Sequence, residues 1–261
     1  MEIMPNENIG IIGLGQMGSA IAKGLQNEKK TVNGFDPFVK EAAGIRMFSS
    51  IPLLAGVSDV LIVAVKPNMV VPVLQELVDA KIIISIAAGI SYDTLKKNSP
   101  IGSRVIRVMP NLALLASRGA LAFYSEDEDA KIVLELFSSL GVSVRVSKET
   151  LMDAVTGLSG SGPAYVLSFL HAMTEAGLKE GLSFDEAQSL AMETIEGTMV
   201  YFRKLKETDP KVHPMEVRNR VTSPGGTTIH GLDALERGGF TMAVKDAVSK
   251  ASERSRELGK G

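Results

Sequence analysis

The chain has 261 residues, of which 45% are hydrophobic and 22% charged, a composition typical of a folded protein with a substantial core. Its net charge of −2 leaves no broad basic face, so nucleic acid is not an expected partner, and the absence of cysteine excludes disulfides, thiolate metal sites and cysteine nucleophiles. The three histidines, His171, His213 and His230, are well separated, so we expect no metal site.

The first residues and the apolar runs predict a cytoplasmic protein without membrane contact. Residues 1–7 carry no basic segment ahead of an apolar run, so no signal peptide is expected. The longest apolar stretches, residues 57–65 and 163–173, are far shorter than the ~20 residues that span a bilayer.

A glycine-rich turn follows the first predicted strand. Residues 8–12 form a short β-branched apolar run, and residues 19–26 have the apolar spacing of a helix. In this strand–GxGxxG–helix context the three glycines permit a tight turn, close approach of a pyrophosphate and close helix–strand packing. The pattern therefore predicts a bound dinucleotide cofactor. Its candidate residues are Gly13, Leu14, Gly15, Gln16, Met17 and Gly18.

An acidic residue follows the second predicted strand, residues 31–35. Asp36 comes 18 residues after Gly18 (36 − 18), close to the ~20-residue spacing of the acid that binds the ribose 2′-hydroxyl of NAD. A carboxylate at this position repels a 2′-phosphate, so the local chemistry favours NAD over NADP. The alternative is that Asp36 only opens a turn with Pro37.

Three further apolar runs predict strands buried in a parallel sheet, at residues 59–65, 81–86 and 103–109. Because ligands of doubly wound sheets lie beyond the carboxyl ends of the strands, residues at these ends are candidates for cofactor binding. Small side chains leave room for a flat ring, and an asparagine could hydrogen-bond its carboxamide. The candidates are Ala64, Val65, Lys66, Pro67, Ile86, Ala87, Ala88 and Asn111.

The alternation of strands and helices stops near residue 148. A strand at 120–124, a helix at 126–140 and a strand at 142–146 complete it, and only helical periodicity follows. We therefore expect an α/β fold in which an N-terminal Rossmann-type doubly wound sheet, residues 1–150, precedes an all-α dimerisation domain, residues 151–261. The helices predicted in that domain cover residues 151–158, 163–177, 183–205, 215–221 and 231–258.

The helix predicted at residues 163–177 is apolar almost all round. Such a helix must be buried inside a domain or against another chain, so we expect the all-α domain to be shared between subunits. The small residues at 157–162, which precede this helix, form either a tight hinge or part of a site wall.

A second glycine-rich turn, residues 221–229, combines proline, glycine and hydroxyl side chains. Pro224 restricts φ, and the two glycines after it allow turns closed to other residues. Thr227 or Thr228 can then cap the following helix, whose first N–H groups suit a small anion such as a carboxylate. The alternative is an ordinary loop with a good N-cap.

In these motifs the chain resembles the pyrroline-5-carboxylate reductase family over nearly its whole length. The resemblance implies reduction of 1-pyrroline-5-carboxylate to L-proline by NADPH or NADH, the final step of proline synthesis. It also implies a Rossmann domain and a helical domain that interlocks into a homodimer, with dimers often assembling further. The motifs that carry it are residues 13–18, 64–67, 107–111, 153–165 and 222–228.

The resemblance also implies roles for individual residues. The substrate carboxylate would be bound by Ser223 and by the backbone amides of Gly225, Gly226 and Thr227. Thr228, the expected catalytic residue, would place its hydroxyl at the ring nitrogen, and Glu149 would lie near the substrate. The substrate loop and the cofactor would come from different subunits.

One departure from the family pattern concerns the cofactor. Members that prefer NADP usually carry an uncharged residue where Asp36 stands. The resemblance therefore leaves the choice between NADP and NAD open.

Three alternatives compete with this assignment. β-Hydroxyacid dehydrogenases share the architecture but use a lysine and an asparagine, which would fall at Val166 and Leu170, and neither side chain can donate a proton. Reduction of a C=N bond needs orientation more than a strong acid, because a cyclic imine is basic enough to be protonated before hydride transfer. A reductase of another cyclic imine and a non-catalytic nucleotide-sensing protein are the other two alternatives.

Overall fold

The computed structural model describes residues 8–126 and 130–259. The expectation of no signal peptide at residues 1–7 and the first turn of the helix predicted from residue 126 lie outside this part of the chain. A mostly parallel sheet followed by helices confirms the predicted fold class.

The chain divides into two compact units. The first is Met1–Pro163 together with Val248–Gly261, and the second is Ala164–Ala247. The end of the chain thus belongs with the α/β part and not with the helical part. The division into domains after residue 150 stays a prediction.

The first unit contains an eight-stranded sheet in the order β3-β2-β1-β4-β5-β6-β7-β8. Neighbouring strands run parallel except β6 and β7, which are antiparallel. The strand order reverses between β1 and β4, the switch point at which doubly wound sheets bind ligands. The strands are β1 (Asn8–Ile12), β2 (Thr31–Phe35), β3 (Arg46–Met47), β4 (Val60–Val63), β5 (Ile82–Ser85), β6 (Arg104–Met109), β7 (Gly119–Tyr124) and β8 (Gly141–Arg145).

Continuous apolar runs form the centre of this sheet. Every residue of β4 and β5 is buried, as in strands that are covered on both faces. Val60 and Ile62 belong to one apolar cluster and Leu61 and Val63 to another, because successive side chains point to opposite faces. The two-residue edge strand β3 was not predicted, because two residues show no periodicity.

Five helices and two 3₁₀ turns accompany the strands. The helix α1 begins three residues earlier than predicted, so its first turn includes part of the glycine-rich motif. The helix predicted to continue to residue 140 ends at residue 136 instead, and a 3₁₀ turn follows it. These elements are α1 (Gln16–Asn27), α2 (Ile51–Ala55), α3 (Pro67–Gln75), α4 (Tyr92–Asn98), the 3₁₀ turn Leu112–Ala116, α5 (Ala130–Leu136) and the 3₁₀ turn Ser138–Leu140.

Helices alone follow β8 among the described residues, as predicted, but two of the five predicted helices are wrong in detail. The helix expected at 151–158 is a succession of 3₁₀, α and π turns. The helix expected at 231–258 is two helices, because the chain turns at Gly239, whose φ is +75°. The elements are the 3₁₀ turn Glu149–Leu151, α6 (Met152–Val155), the π turn Thr156–Gly160, α7 (Gly162–Lys179), α8 (Phe184–Thr208), α9 (Pro214–Arg220), α10 (Thr227–Arg237) and α11 (Phe240–Leu258).

The last turns of α11 pack closely on the π turn. A Cβ atom at Gly157 would overlap the Ser252 hydroxyl and lie 2.6 Å from the carbonyl oxygen of Val248. Ser255 Oγ, which is also buried, donates a 2.6 Å hydrogen bond to Asp153 Oδ1. Only glycine at position 157 allows this separation of the two backbones.

We expect Gly157→Ala to lower the free energy of unfolding by about 1–3 kcal/mol, because the added methyl group must displace the α11 backbone. Thermal and urea unfolding of the full chain would measure the loss. The matched control is Gly56→Ala, whose Cβ would lie 3.6 Å from the nearest atom, an ordinary contact. Equal stability of the two variants would contradict the prediction.

Candidate active site

The first glycine-rich turn lies between β1 and α1, where backbone segments from three strands meet. The N–H of Gly13 donates to the carbonyl oxygen of Phe35 at 2.8 Å, and the N–H of Ala64 donates to that of Ile12 at 2.8 Å. A Cβ at Gly13 would lie 2.7 Å from the Ala64 carbonyl oxygen, and the φ of Gly13 is +96°. The position therefore accepts glycine alone.

The other two glycines of the turn are needed for different reasons. A Cβ at Gly18 would overlap the carbonyl oxygen of Gly13, so α1 packs directly on the turn. A Cβ at Gly15 would meet no protein atom within 4 Å. Gly15 is the N-cap of α1, so no side chain caps this helix. Gln16 and Met17 are its first two residues. The open space before these N–H groups fits a ligand phosphate.

Asp36 lies beside the same turn and is held by two backbone groups. Its Oδ2 accepts from the N–H of Leu14 at 2.7 Å, and its Oδ1 accepts from the N–H of Phe38 at 2.8 Å. The bond from Phe38 forms the turn with Pro37 that the sequence also allowed. The bond from Leu14 fixes the carboxylate beside the glycine-rich motif. A cavity of about 350 Å³ adjoins Asp36, and Lys40 and Ser49 are among its lining residues.

The structure brings the predicted residues together at one side of the sheet, the edge formed by the carboxyl ends of its parallel strands. The parallel strands β1, β4, β5 and β6 all end there, next to the glycine-rich turn. Ile86 and Ala87 are buried, whereas Ala64, Val65 and Ala88 are half-buried. Lys66 is exposed and is the N-cap of α3, which begins at Pro67.

Asn111 follows β6 at this edge and already makes one hydrogen bond. Its Oδ1 accepts from the N–H of Ala120 at 3.0 Å, which fixes the orientation of the side-chain amide. The Nδ2 group remains able to donate, as binding of a carboxamide oxygen would require.

An ion pair that the sequence did not reveal lies behind these strand ends. Arg107 on β6 is 5% exposed, and its guanidinium pairs with Glu149 Oε1. The same oxygen accepts a 3.1 Å hydrogen bond from the N–H of Tyr92, the first residue of α4. The sequence signal was an arginine inside an apolar strand, since a buried charge requires a partner. The contact of Glu149 with substrate stays a prediction.

The second glycine-rich turn lies in the second unit. The N–H of Gly226 donates to the Ser223 carbonyl oxygen at 3.1 Å, with Pro224 and Gly225 between them, and the φ of Gly225 is +67°. This is the residue pattern of a type II turn. Ser223 Oγ lies against Gly226, where a Cβ would overlap it.

The expected capping of α10 by a threonine is wrong. The N-cap is Gly226, and no side chain caps the helix. Thr227 and the half-buried Thr228 are its first two residues, so their N–H groups belong to the uncapped first turn. The physical reason is that the turn ends at Gly226, which carries the chain into the helix one residue before the threonines. The first turn of α10 therefore keeps donors for an anion.

The second unit exposes much apolar surface in the single chain. On α7, Val166 is 53% exposed, Leu167 57% and Phe169 39%. Of the two expectations for this apolar helix, burial against another chain is the one that fits, since surface of this kind marks an interface. No helix in the described part of the chain has the length and apolar character to cross a bilayer.

Two family models match the chain. One, described as pyrroline-5-carboxylate reductase dimerisation, matches residues 149–258. The other, described as NADP oxidoreductase coenzyme F420-dependent, matches residues 8–89. The first match lies over the predicted helical part, and the second covers residues 8–89 of the predicted dinucleotide-binding part.

Relatives and solved structures are similar over almost the whole chain. The pyrroline-5-carboxylate reductase of Methanosarcina acetivorans is 40% identical over 98% of this chain and 100% of its own. That of Aquifex aeolicus is 39% identical over 96% and 97%. The Plasmodium falciparum pyrroline carboxylate reductase, solved with NADP bound, has a TM-score of 0.85 and 32% identity over 98% of this chain and 99% of its own. A Coxiella burnetii pyrroline-5-carboxylate reductase has a TM-score of 0.88 and 28% identity over 98% and 100%.

We expect Gly15→Ala and Gly18→Ala to fail in different ways. The methyl group at position 15 stands in open space, so that variant should keep its melting temperature and bind NADPH at least ten-fold more weakly. The methyl group at position 18 meets the Gly13 carbonyl, so that variant should lose about 1–3 kcal/mol of stability. Calorimetric unfolding and fluorescence titration with NADPH separate the two effects. Unchanged NADPH affinity in Gly15→Ala would show that the cofactor does not approach this residue.

Proposed function

The chain belongs to the pyrroline-5-carboxylate reductase family, and on that basis we propose that it reduces 1-pyrroline-5-carboxylate to L-proline with NADPH or NADH as hydride donor, the final step of proline synthesis. The observation that carries the proposal is the extent of the likeness, which includes both glycine-rich turns. A protein that only sensed a nucleotide would need the first turn, at residues 13–18, but not the second, at residues 222–228.

The residues at the carboxyl edge of the sheet fit a dinucleotide. We assign the pyrophosphate to the first turn of α1, where Gly15 leaves open space. We assign the nicotinamide ring to the strand ends at residues 64–67 and 86–88, with Asn111 Nδ2 as donor to its carboxamide. Lys40, in the cavity beside Asp36, supplies a cation for a 2′-phosphate. The bound cofactor supplies the hydride.

The second glycine-rich turn fits the substrate. We assign the substrate carboxylate to Ser223 and to the backbone N–H groups of residues 225–227, which stand at the uncapped positive end of α10. Thr228 then orients the ring nitrogen through its hydroxyl. Because a cyclic imine is protonated at nitrogen before or during the reaction, the protein has to hold the ring rather than provide a strong acid.

The exposed apolar helices fit a homodimer. The dimerisation family model spans α7 to α11, the helices that leave large apolar side chains exposed in one chain. We infer that the turn at residues 222–228 of one subunit works with the cofactor held by the other, and that dimers assemble further. The cytoplasmic location stays a prediction.

We expect Thr228→Val to lower kcat roughly 10²-fold, because the variant keeps the shape of threonine but cannot hydrogen-bond the ring nitrogen. Thr228→Ser, the matched control, keeps the hydroxyl and should retain most of the activity. Steady-state oxidation of NADPH with pyrroline-5-carboxylate measures both. Full activity of Thr228→Val would remove this residue from catalysis, and a wild-type protein inactive with both NADPH and NADH would refute the proposed reaction.

We expect Asp36→Ser to raise the ratio of kcat/KM for NADPH over NADH roughly ten-fold, because a negative charge near the 2′-phosphate disappears. Both cofactors would be compared at a fixed substrate concentration. Asp59→Asn is the control for a lost carboxylate, because Asp59 lies at the amino ends of the strands, away from the cofactor, and it should leave the ratio unchanged. An unaltered ratio in Asp36→Ser would mean that this carboxylate does not select the cofactor.

A further inference from the structure

The connection between β5 and α4, residues 86–91, is the segment to which we assign one side of the nicotinamide. Three of its residues, Ala87, Ala88 and Gly89, are small, and Ala88 and Gly89 are half-buried. Gly89 has a φ of +73°. Ile86 and Ala87 are buried, Ile90 packs against the core and Gly89 lies against Leu258. In so short a segment the shape also depends on how its two ends are held.

Glu149 holds the far end of this connection. Its Oε1 accepts the N–H of Tyr92, the residue at which α4 begins, at 3.1 Å. The N-cap, Ser91, is already engaged with the N–H of Thr94 at 3.1 Å. Glu149 therefore accepts a hydrogen bond from an N–H of the first turn that the N-cap side chain leaves unbonded.

Glu149 also reaches the near end, through Arg107. In the pairing of β5 with β6, Arg107 stands opposite Ser85, the last residue before the connection. Its nearly buried guanidinium pairs with the same Glu149 oxygen that accepts from Tyr92. One carboxylate thus links the strand beside the start of the connection to the residue at its end.

The charges argue against direct use of Glu149 in substrate binding. Its negative charge is balanced by Arg107, and its side chain is 27% exposed. Because Arg107 already neutralises this carboxylate, Glu149 offers little net charge to either the substrate carboxylate or a protonated ring nitrogen. The Glu149 carboxylate is therefore suited to fixing the conformation of residues 86–91 and not to binding the substrate.

We propose that Glu149 is a positioning residue: with Arg107, it holds residues 86–91 in the shape that receives the nicotinamide ring, and it does not contact the substrate. The proposal rests on the proposed function, since it assigns the nicotinamide to this connection. It differs from the substrate contact implied by family resemblance.

The test compares two ligands that differ only in the nicotinamide. NADPH and 2′-phospho-ADP-ribose, which lacks that ring, are titrated against the wild-type dimer, Glu149→Gln and Arg107→Met. We expect both variants to bind NADPH about ten-fold more weakly, since each removes the ion pair between Arg107 and Glu149, and to bind 2′-phospho-ADP-ribose as the wild type does. We also expect kcat to fall while KM for pyrroline-5-carboxylate stays within two-fold.

Three outcomes would overturn the proposal. Equal weakening of both ligands would mean that the ion pair only maintains the fold. Unchanged NADPH binding with a raised KM for pyrroline-5-carboxylate would mean that Glu149 binds substrate. Unchanged binding and kinetics would mean that the pair has no role at the site.

Two controls complete the design. Asp59→Asn breaks an exposed ion pair with Lys81 at the opposite edge of the sheet and should leave all four quantities unchanged. The double variant Glu149→Gln/Arg107→Met should be no worse than either single variant, because each single variant already removes the ion pair between the two residues. Binding of NADPH by a wild-type protein that does not reduce pyrroline-5-carboxylate would contradict the proposed function while leaving the binding comparison valid.

Discussion

Close approach of backbone to backbone at the end of β1 is the constraint on which the first unit depends. Gly13 lies against the Ala64 carbonyl and Gly18 against Gly13 itself, distances that leave no room for a side chain. Because α1 can start only where these contacts permit, its N–H groups face the edge at which β1, β4, β5 and β6 end. The geometry that could hold a phosphate is thus a consequence of packing within the protein.

The central strands could be predicted from the sequence because burial on both faces imposes short continuous apolar runs, each bounded by turn residues. Local geometry was harder to predict. The apolar spacing continues through Gly238 and Gly239, so periodicity alone could not show that α10 and α11 are separate helices. The threonines after Gly226 are good N-caps by type, but the turn places the glycine at that position.

Some residues of the candidate site could likewise be predicted from the sequence, and others could not. Its glycines and small strand-end residues were predicted, since they are consecutive in the sequence and each has a steric reason. The pair of Arg107 with Glu149 was not, because 42 residues separate its members and no periodic pattern joins them. Asp36 shows a third case: one of its oxygens makes the predicted turn, the other bonds to the glycine-rich motif, and the contact with a ribose stays a prediction.

The return of the C-terminal residues to the first unit bears on how the chain folds as it is synthesised. Ser255 is hydrogen-bonded to Asp153, and Leu258 lies against Gly89, so part of the first unit is completed by residues that follow the whole second unit in the chain. Domains generally fold in the order of their synthesis. Here the first unit cannot make all its contacts until the second unit has been synthesised, and a chain released before residue 248 would leave the π turn uncovered.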